Sequence, residues 1–239
     1  MKIRQYIPVI LAIMLVSFSL PAKSTKEGLK GKRIYKFPFY IFSHTRSYSY
    51  FALSGYMGDV ADMNVVKVKD PYSFKISLKV LYKPTYRQGH QGWCGLSWQY
   101  PPNNWGDNSK GGYDLSEAKY LFFYARGSKG NELVEFKIGG IKGAYGDTDE
   151  ASTGVVPLSK KWKLFKIDLK KKNLKNIVGG FCVLILSSVN PEGIAIYLND
   201  IYYSNKTEPE KMFFQEYSNP GDKETEQEKR VEKIEKIKK

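Results

Sequence analysis

Between Tyr72 and Tyr82 the chain alternates, with Leu81 the one exception: Tyr72, Phe74, Ile76, Leu78, Val80 and Tyr82 fall on one side, and Ser73, Lys75, Ser77 and Lys79 on the other. Successive side chains of a strand point to opposite faces, so a period of two over this length predicts a half-buried strand. Runs at 92–100, 119–126, 132–138, 162–169, 181–187 and 194–203 predict further strands. Each is bounded by turn-forming residues, as in Lys129-Gly-Asn131 and Asn190-Pro-Glu-Gly193. No part of the body from Phe37 to Tyr203 carries a helical period. Many short strands in one body predict an all-β fold, an antiparallel two-sheet β-sandwich of the jelly-roll kind rather than a barrel.

The pattern breaks at both ends. Lys2 and Arg4 precede an apolar run from Ile7 to Leu20, and small residues follow it, with Ala22 and Ser24 as candidate cleavage points. That layout is a secretory signal peptide over 1–24, with an uncleaved membrane anchor as the alternative. The run is shorter than the ~20 residues a spanning helix needs. Residues 25–36 are polar and aperiodic, as a linker would be. Residues 204–239 are charged, with only Val231, Ile234 and Ile237 recurring at every third position, and are expected to be disordered or weakly helical. The domain itself is therefore expected over 37–203. Export places the chain outside the cytoplasm: secreted, periplasmic or at the cell surface.

Charge then narrows the partners. Most of the formal charge of +14 sits on the body: residues 25–203 carry 26 basic and 15 acidic side chains, a net +11, whereas 204–239 carry 9 of each and Lys2, Arg4 and Lys23 add the remaining three. Eight lysines between Lys160 and Lys175 meet only Asp168. For an exported protein the matching partner is an anionic envelope polymer, a lipid head group or an acidic glycan rather than nucleic acid. The alternative is a solvated lysine-rich strand edge that discourages aggregation. Cys94 and Cys182 either pair across the sheets in an oxidising compartment or remain two buried thiols.

Catalytic constellations are scarce. The chain has two histidines, His44 and His90, and it lacks a Gly-x-Ser-x-Gly elbow, a phosphate loop and metal-ligand spacing of His and Cys. A pair of carboxylates drawn from Asp59, Asp62, Asp107, Glu132, Glu135 and Asp147 would be enough for a glycosidase. Aromatic residues are more conspicuous: Trp93, Trp98, Tyr100, Trp105 and Tyr113 crowd one Gly/Pro/Asn-rich region. A flat π face covers the C–H side of a pyranose while neighbouring amides and carboxylates bond its hydroxyls, so such rings suit a sugar as well as a core. Alternation along 92–100 puts Cys94, Leu96, Trp98 and Tyr100 inward. It puts Trp93, Gly95, Ser97 and Gln99 outward. Trp93 and Gln99 are thus the expected ligand contacts, rimmed by Trp105 and Tyr113 and by Tyr86, Arg87, His90 and Gln91 of the preceding loop.

Seven runs carry a family resemblance: Ser54-Gly-Tyr-Met-Gly-Asp59, Gly92-Trp-Cys-Gly-Leu-Ser-Trp98, Pro102-Asn-Asn-Trp-Gly-Asp107, Gly112-Tyr-Asp-Leu-Ser116, Ala125-Arg-Gly-Ser-Lys-Gly130, Val134-Glu-Phe-Lys-Ile-Gly-Gly140 and Tyr197-Leu-Asn-Asp-Ile-Tyr202. Taken in order over about 37–203, they resemble the carbohydrate-binding-module type of galactose-binding-like β-sandwich domain found in bacterial extracellular proteins. The resemblance implies a sandwich with a non-catalytic binding role. It also implies a structural calcium near the join of the first and last strands, where Asp200 matches the acidic position and Asp59, Asp62 and Glu132 are candidate co-ligands.

The sequence thus predicts a secreted, monomeric, non-catalytic module that binds carbohydrate or an envelope glycopolymer through the 86–113 region. Its rivals are a cell-surface structural or protein-interaction module and a small glycoside-active enzyme.

Overall fold

In the computed structural model, residues 35–43, 49–69 and 76–209 are described, and they form eleven strands and one 3-10 turn. The strands are β1 (Phe39–Phe42), β2 (Ala52–Gly58), β3 (Met63–Lys69), β4 (Ile76–Tyr82), β5 (Trp93–Gln99), β6 (Tyr120–Gly127), β7 (Leu133–Gly139), β8 (Glu150–Pro157), β9 (Lys163–Asp168), β10 (Gly179–Leu186) and β11 (Ile194–Ser204). The turn, Val60–Asp62, links β2 to β3. Sheet A has the order β3-β4-β11-β6-β9, with β1 beside the far half of β11; sheet B has the order β2-β5-β10-β7-β8. Every pairing between these strands is antiparallel. The two-sheet all-β fold is the one the alternation predicts. The expected signal peptide, nearly all of the linker and the tail beyond Pro209 lie outside the described residues.

The core is made by the inner faces of the two sheets. Sheet A contributes Leu78, Val80, Leu121, Phe123, Ile196 and Leu198; sheet B contributes Leu96, Trp98, Phe136, Phe181, Val183 and Ile185. At its centre Phe123, Phe136 and Phe181 pack ring on ring, with centroids 4.7–5.9 Å apart. Truncating such a ring to alanine costs about 3–5 kcal/mol. In β4 the expected inward residues Leu78, Val80 and Tyr82 are buried, but Ile76, at the start of the strand, is exposed.

β11 keeps its apolar residues inward only because it contains an extra residue. Ile196 and Leu198 face the core, and so do Ile201 and Tyr203, three positions further on rather than two. The pairing with β6 slips between Asn199 and Tyr202, and Asp200 takes a φ of 43° there. Such a bulge resets the alternation. Without it Ile201 and Tyr203 would point away from the core.

The cysteines do not pair. They lie on neighbouring strands of sheet B, where Cys94 is opposite Ile185 and Cys182 is opposite Ser97. Cys94 points into the core and Cys182 points out, so no disulfide can join them, and both are free. Burial pushes each thiol up to about 12.

Candidate functional site: a groove on the outward face of sheet B

Antiparallel register sets the outward side chains of sheet B in rows. One row runs Gly55, Ser97, Cys182, Lys137, Ser152 across β2, β5, β10, β7 and β8. The next runs Met57, Gly95, Leu184, Glu135, and beyond it Trp93 stands opposite Leu186. The centre of these rows is small. A Cβ added to Gly95 would lie 2.8 Å from Met57 Cε, 3.0 Å from Leu184 Cδ2 and 3.1 Å from Trp93 Cζ3, so the bare glycine lets these three side chains close around a depression. The outcome is a groove of about 700 Å3 floored by Ser97, Cys182 and Leu184, with Glu135 and Lys137 on one flank and Trp93 and Trp105 among its walls.

The Trp93 end is fixed by a buried carboxylate. Asp59 accepts the backbone N–H groups of Gln91 (2.7 Å), Gly92 (3.0 Å) and Trp93 (3.2 Å), the hydroxyl of Tyr82 (3.2 Å), and Nε2 of His90 (3.1 Å). Burial alone would raise this carboxyl, but the Gln91 N–H, the Tyr82 hydroxyl, the His90 charge and the Gly92 N–H together hold it below the ordinary aspartate value.

The Trp105 end is built from two interlocked loops. Asn104 is buried; its Oδ1 accepts Gly106 N–H (3.0 Å) and its Nδ2 donates to the Tyr100 carbonyl (3.1 Å), which fixes the turn carrying Trp105. Gly106 has a φ of 91°, and a Cβ there would meet the Lys142 carbonyl at 2.3 Å. The loop after β7, carrying Ile141 and Lys142, is tied to β10 by Asp147. Its carboxylate accepts N–H from Val178 (2.5 Å), Ile141 (2.7 Å) and Gly179 (3.0 Å). Here desolvation outweighs those bonds, and the Asp147 carboxyl is raised.

Of the residues expected to contact a ligand, the structure brings Trp93 and Trp105 into this groove. Trp105 is 43 % exposed. Gln99 does point outward, yet it is fully buried. It lies against β2, where its Oε1 accepts the Ser54 hydroxyl (3.0 Å), and its partner across the ladder, Gly179, lies against Ile141 of the loop. Tyr113 is not a rim residue. An isolated bridge to Ile177 draws it into an aromatic knot with Tyr35, Phe39, Phe51 and Tyr100, and its hydroxyl donates to the Tyr50 carbonyl (2.9 Å). Tyr86, Arg87, His90 and Gln91 line no part of the groove but buttress its Trp93 end. Arg87 pairs with Asp62 (3.2 Å), Tyr86 packs on His90 (4.9 Å), and His90 and Gln91 hold Asp59. Met57, Leu184, Leu186, Glu135, Lys137 and Lys142 complete the groove from other strands, beyond the reach of sequence spacing; the only local signal was the apolar outward set Leu184 and Leu186.

Around Asp200 the described residues supply one carboxylate and the Ser43 hydroxyl, 2.7 Å away. Asp59 and Asp62 are engaged with the 83–93 loop, and Glu132 accepts the Lys129 N–H (2.6 Å) in the β6–β7 turn, so none of the three joins Asp200. Among the described residues no group of three His, Cys, Asp or Glu side chains is placed to hold a metal. The lysine-rich stretch follows β9, the outermost strand of sheet A. Two of its lysines are answered locally: Lys170 by Asp168 (3.3 Å) and Lys172 by Asp149 (3.2 Å).

Comparison with solved structures finds similarity to a family 30 carbohydrate-binding module, at 15 % identity and a TM-score of 0.49 over 72 % of this chain and 89 % of that one. A family 11 carbohydrate-binding module of a cellulosomal cellulase of Clostridium thermocellum is similar at 13 % identity and 0.46, over 70 % and 96 %. The glycoside hydrolase domain of Endo-D from Streptococcus pneumoniae is similar at 13 % and 0.39, over 64 % and 22 %. No protein-family model and no curated protein matches the chain. Among the described residues, no helix is long and apolar enough to cross a membrane.

Proposed function

We propose that this chain is an exported, non-catalytic module that binds carbohydrate along the groove of sheet B. The observation that carries the proposal is the placement of Trp93 and Trp105, residues 12 apart in sequence, as walls of one open groove floored by Ser97, Cys182 and Leu184. Rings held by packed strands and clamped loops cost little to order on binding, which is what recognition of a weakly polar ring ligand requires. Ser97, Glu135 and Lys137 supply the hydroxyl, carboxylate and ammonium that would bond sugar hydroxyls. Lys137 is already balanced by Glu150 (3.5 Å), which favours a neutral sugar over a highly charged one. Glu135 is the one carboxylate among the lining residues, and it accepts the Ser152 hydroxyl (2.5 Å). A glycosidase needs two acids facing one bond, so this lining supports binding rather than hydrolysis.

A glycan array probed with the folded chain and with Trp93→Ala and Trp105→Ala tests the proposal. Retention by the parent and loss in both variants is the expected outcome. A folded parent that retains no glycan would turn the reading toward a surface-interaction module, in which the exposed lysines Lys160, Lys161 and Lys163 make salt-sensitive contacts with an anionic polymer. Export is checked by mass spectrometry of the protein from its host, where the chain should begin near Lys23 or Thr25. Calcium at Asp200 remains part of the proposal: a chelator should lower the thermal midpoint of the parent and leave that of Asp200→Ala unchanged.

A further inference from the structure

Gly95 stands in the middle of β5, an interior strand of sheet B, at a position whose side chain would belong to the outward face. Glycine weakens the inside of a strand, and where the strand is unbulged it marks a place that another backbone or a ligand approaches closely. β5 is unbulged here, because Gly95 keeps regular antiparallel register with Met57 on β2 and with Leu184 on β10. Among the described residues, the three atoms nearest to where its Cβ would stand are all side-chain tips: Met57 Cε (2.8 Å), Leu184 Cδ2 (3.0 Å) and Trp93 Cζ3 (3.1 Å). Another backbone is therefore not what the glycine accommodates. The tips belong to its two cross-strand partners and to the residue two positions back on the same face, and all three lean in over the gap. Gly95 itself is buried beneath them, whereas Met57, Trp93 and Leu184 stay partly exposed and line the groove. Trp93 is held low at a second point, since a Cβ on Gly58 would stand 3.0 Å from its Cδ2. The indole leans along the sheet instead of standing off it.

We propose that Gly95 is the specificity-determining position of the groove: it seats one sugar ring, face down, on the low carbon platform that Met57, Leu184 and Trp93 make above it. This rests on the carbohydrate-binding reading and deepens it. Carbon tips beneath a pyranose match its C–H face, while the groups that bond hydroxyls belong around the seat rather than in it. The lining has that arrangement. Glu135 follows Leu184 in the row that contains Gly95, and Ser97 is the next outward residue of β5. A carboxylate and a hydroxyl thus flank the apolar seat on two sides. One methyl at position 95 would push all three tips outward together and raise the seat by its own thickness. The sheet itself should accept that methyl, because Gly95 has no left-handed φ and the atoms in its way are the ends of side chains with open groove above them. Depth of the groove and stability of the fold are therefore separable at this one residue.

Isothermal titration of the full chain with a soluble glucan, mannan, xylan and galactan tests this. For whichever of these the parent binds, Gly95→Ala should bind about 10–200-fold more weakly, the range for one methylene too many in an apolar pocket, with its thermal midpoint unchanged. Met57→Ala removes one tip of the platform and adds nothing to the floor. It should weaken binding several-fold, and it decides the matter if Gly95→Ala does not fold. Undiminished binding by a folded Gly95→Ala, or by Met57→Ala, would overturn the proposal and leave the carbohydrate-binding reading standing. A folded parent that binds none of these polysaccharides would overturn both.

Discussion

The two outward faces of this sandwich meet opposite fates, and the difference can be read row by row. On sheet A one row runs Tyr40, Tyr202, Phe122, Lys166 across β1, β11, β6 and β9. The corresponding row on sheet B runs Gly55, Ser97, Cys182, Lys137. Both carry a lysine toward one side, Lys166 on the edge strand and Lys137 one strand in from the edge, but one is a ridge of rings and the other a floor of small side chains. A ridge of abutting rings packs into a continuous apolar layer, in which Tyr40, Tyr202 and Phe122 are buried. A small floor flanked by larger walls leaves a hollow, and there Trp105 and Leu186 stay 43 % and 40 % exposed. Size at alternate strand positions therefore separates a surface that supports the fold from one that is free to bind.

The largest effect expected from this contrast is on the ridge. Phe122→Ala should cost about 3–5 kcal/mol in denaturant unfolding, as a core truncation would, while leaving glycan retention intact in the molecules that remain folded. A cost below about 1 kcal/mol would mean that the face is solvated and would erase the contrast. On the hollow the pattern inverts. Trp105→Ala should weaken glycan binding at least about tenfold, or about 1.4 kcal/mol, with stability changed by less than about 1 kcal/mol. Isothermal titration beside thermal melts reads both quantities.

A smaller effect distinguishes the two ends of the groove. Asp59 is held below the ordinary aspartate value when folded, so its stabilisation is complete above about pH 4, the unfolded value, and is lost as pH falls below it. The thermal midpoint gap between the parent and Asp59→Asn should therefore narrow on acidification from pH 6 to pH 3. Asp147 is raised, so its titration contributes stability at low pH that is lost as pH rises through the folded value. The gap for Asp147→Asn should then move in the opposite sense over the acidic range. Parallel movement of the two gaps would show that the ends are not electrostatically distinct. The smallest effect is on the thiols: a reductant should leave the melting temperature unchanged, and intact-mass analysis should find two free cysteines.

Much of the sandwich was legible because alternation is a local property. Seven of the strands, β4, β5, β6, β7, β9, β10 and β11, fall where strand runs were expected, and the inward and outward sorting of 93–98 holds, with Cys94, Leu96 and Trp98 in the core and Trp93 and Ser97 lining the groove. The strands that escaped notice are peripheral or poorly patterned. β2, Ala-Leu-Ser-Gly-Tyr-Met-Gly, carries two glycines and β8, Glu-Ala-Ser-Thr-Gly-Val-Val-Pro, is short of large apolar residues; both are edges of sheet B. At the site, Trp93 was accessible to the same logic. Gln99 defeated it, because the residues that bury it arrive from β2 and from the loop after β7. Tyr113 defeated it because a bridge to Ile177, 64 residues on, pulls a turn residue into the core. Alternation tells which way a side chain points, whereas what lies over it is set by distant segments.

The eleven residues of β11 bear on the order in which this molecule can come into being. That one strand pairs with β4, with β6 and, beyond the Asp200 bulge, with β1, whose residues lie about 160 positions earlier. Sheet A is thus three unjoined pieces, β1, β3-β4 and β6-β9, until residues 194–204 have been synthesised, and the entropy of closing so long a loop must be met before those pairings stabilise anything. An emerging chain stays open to whatever handles it until Ser204 is made. Fragments that end before Ile194 should be unable to fold, however complete their sheet B.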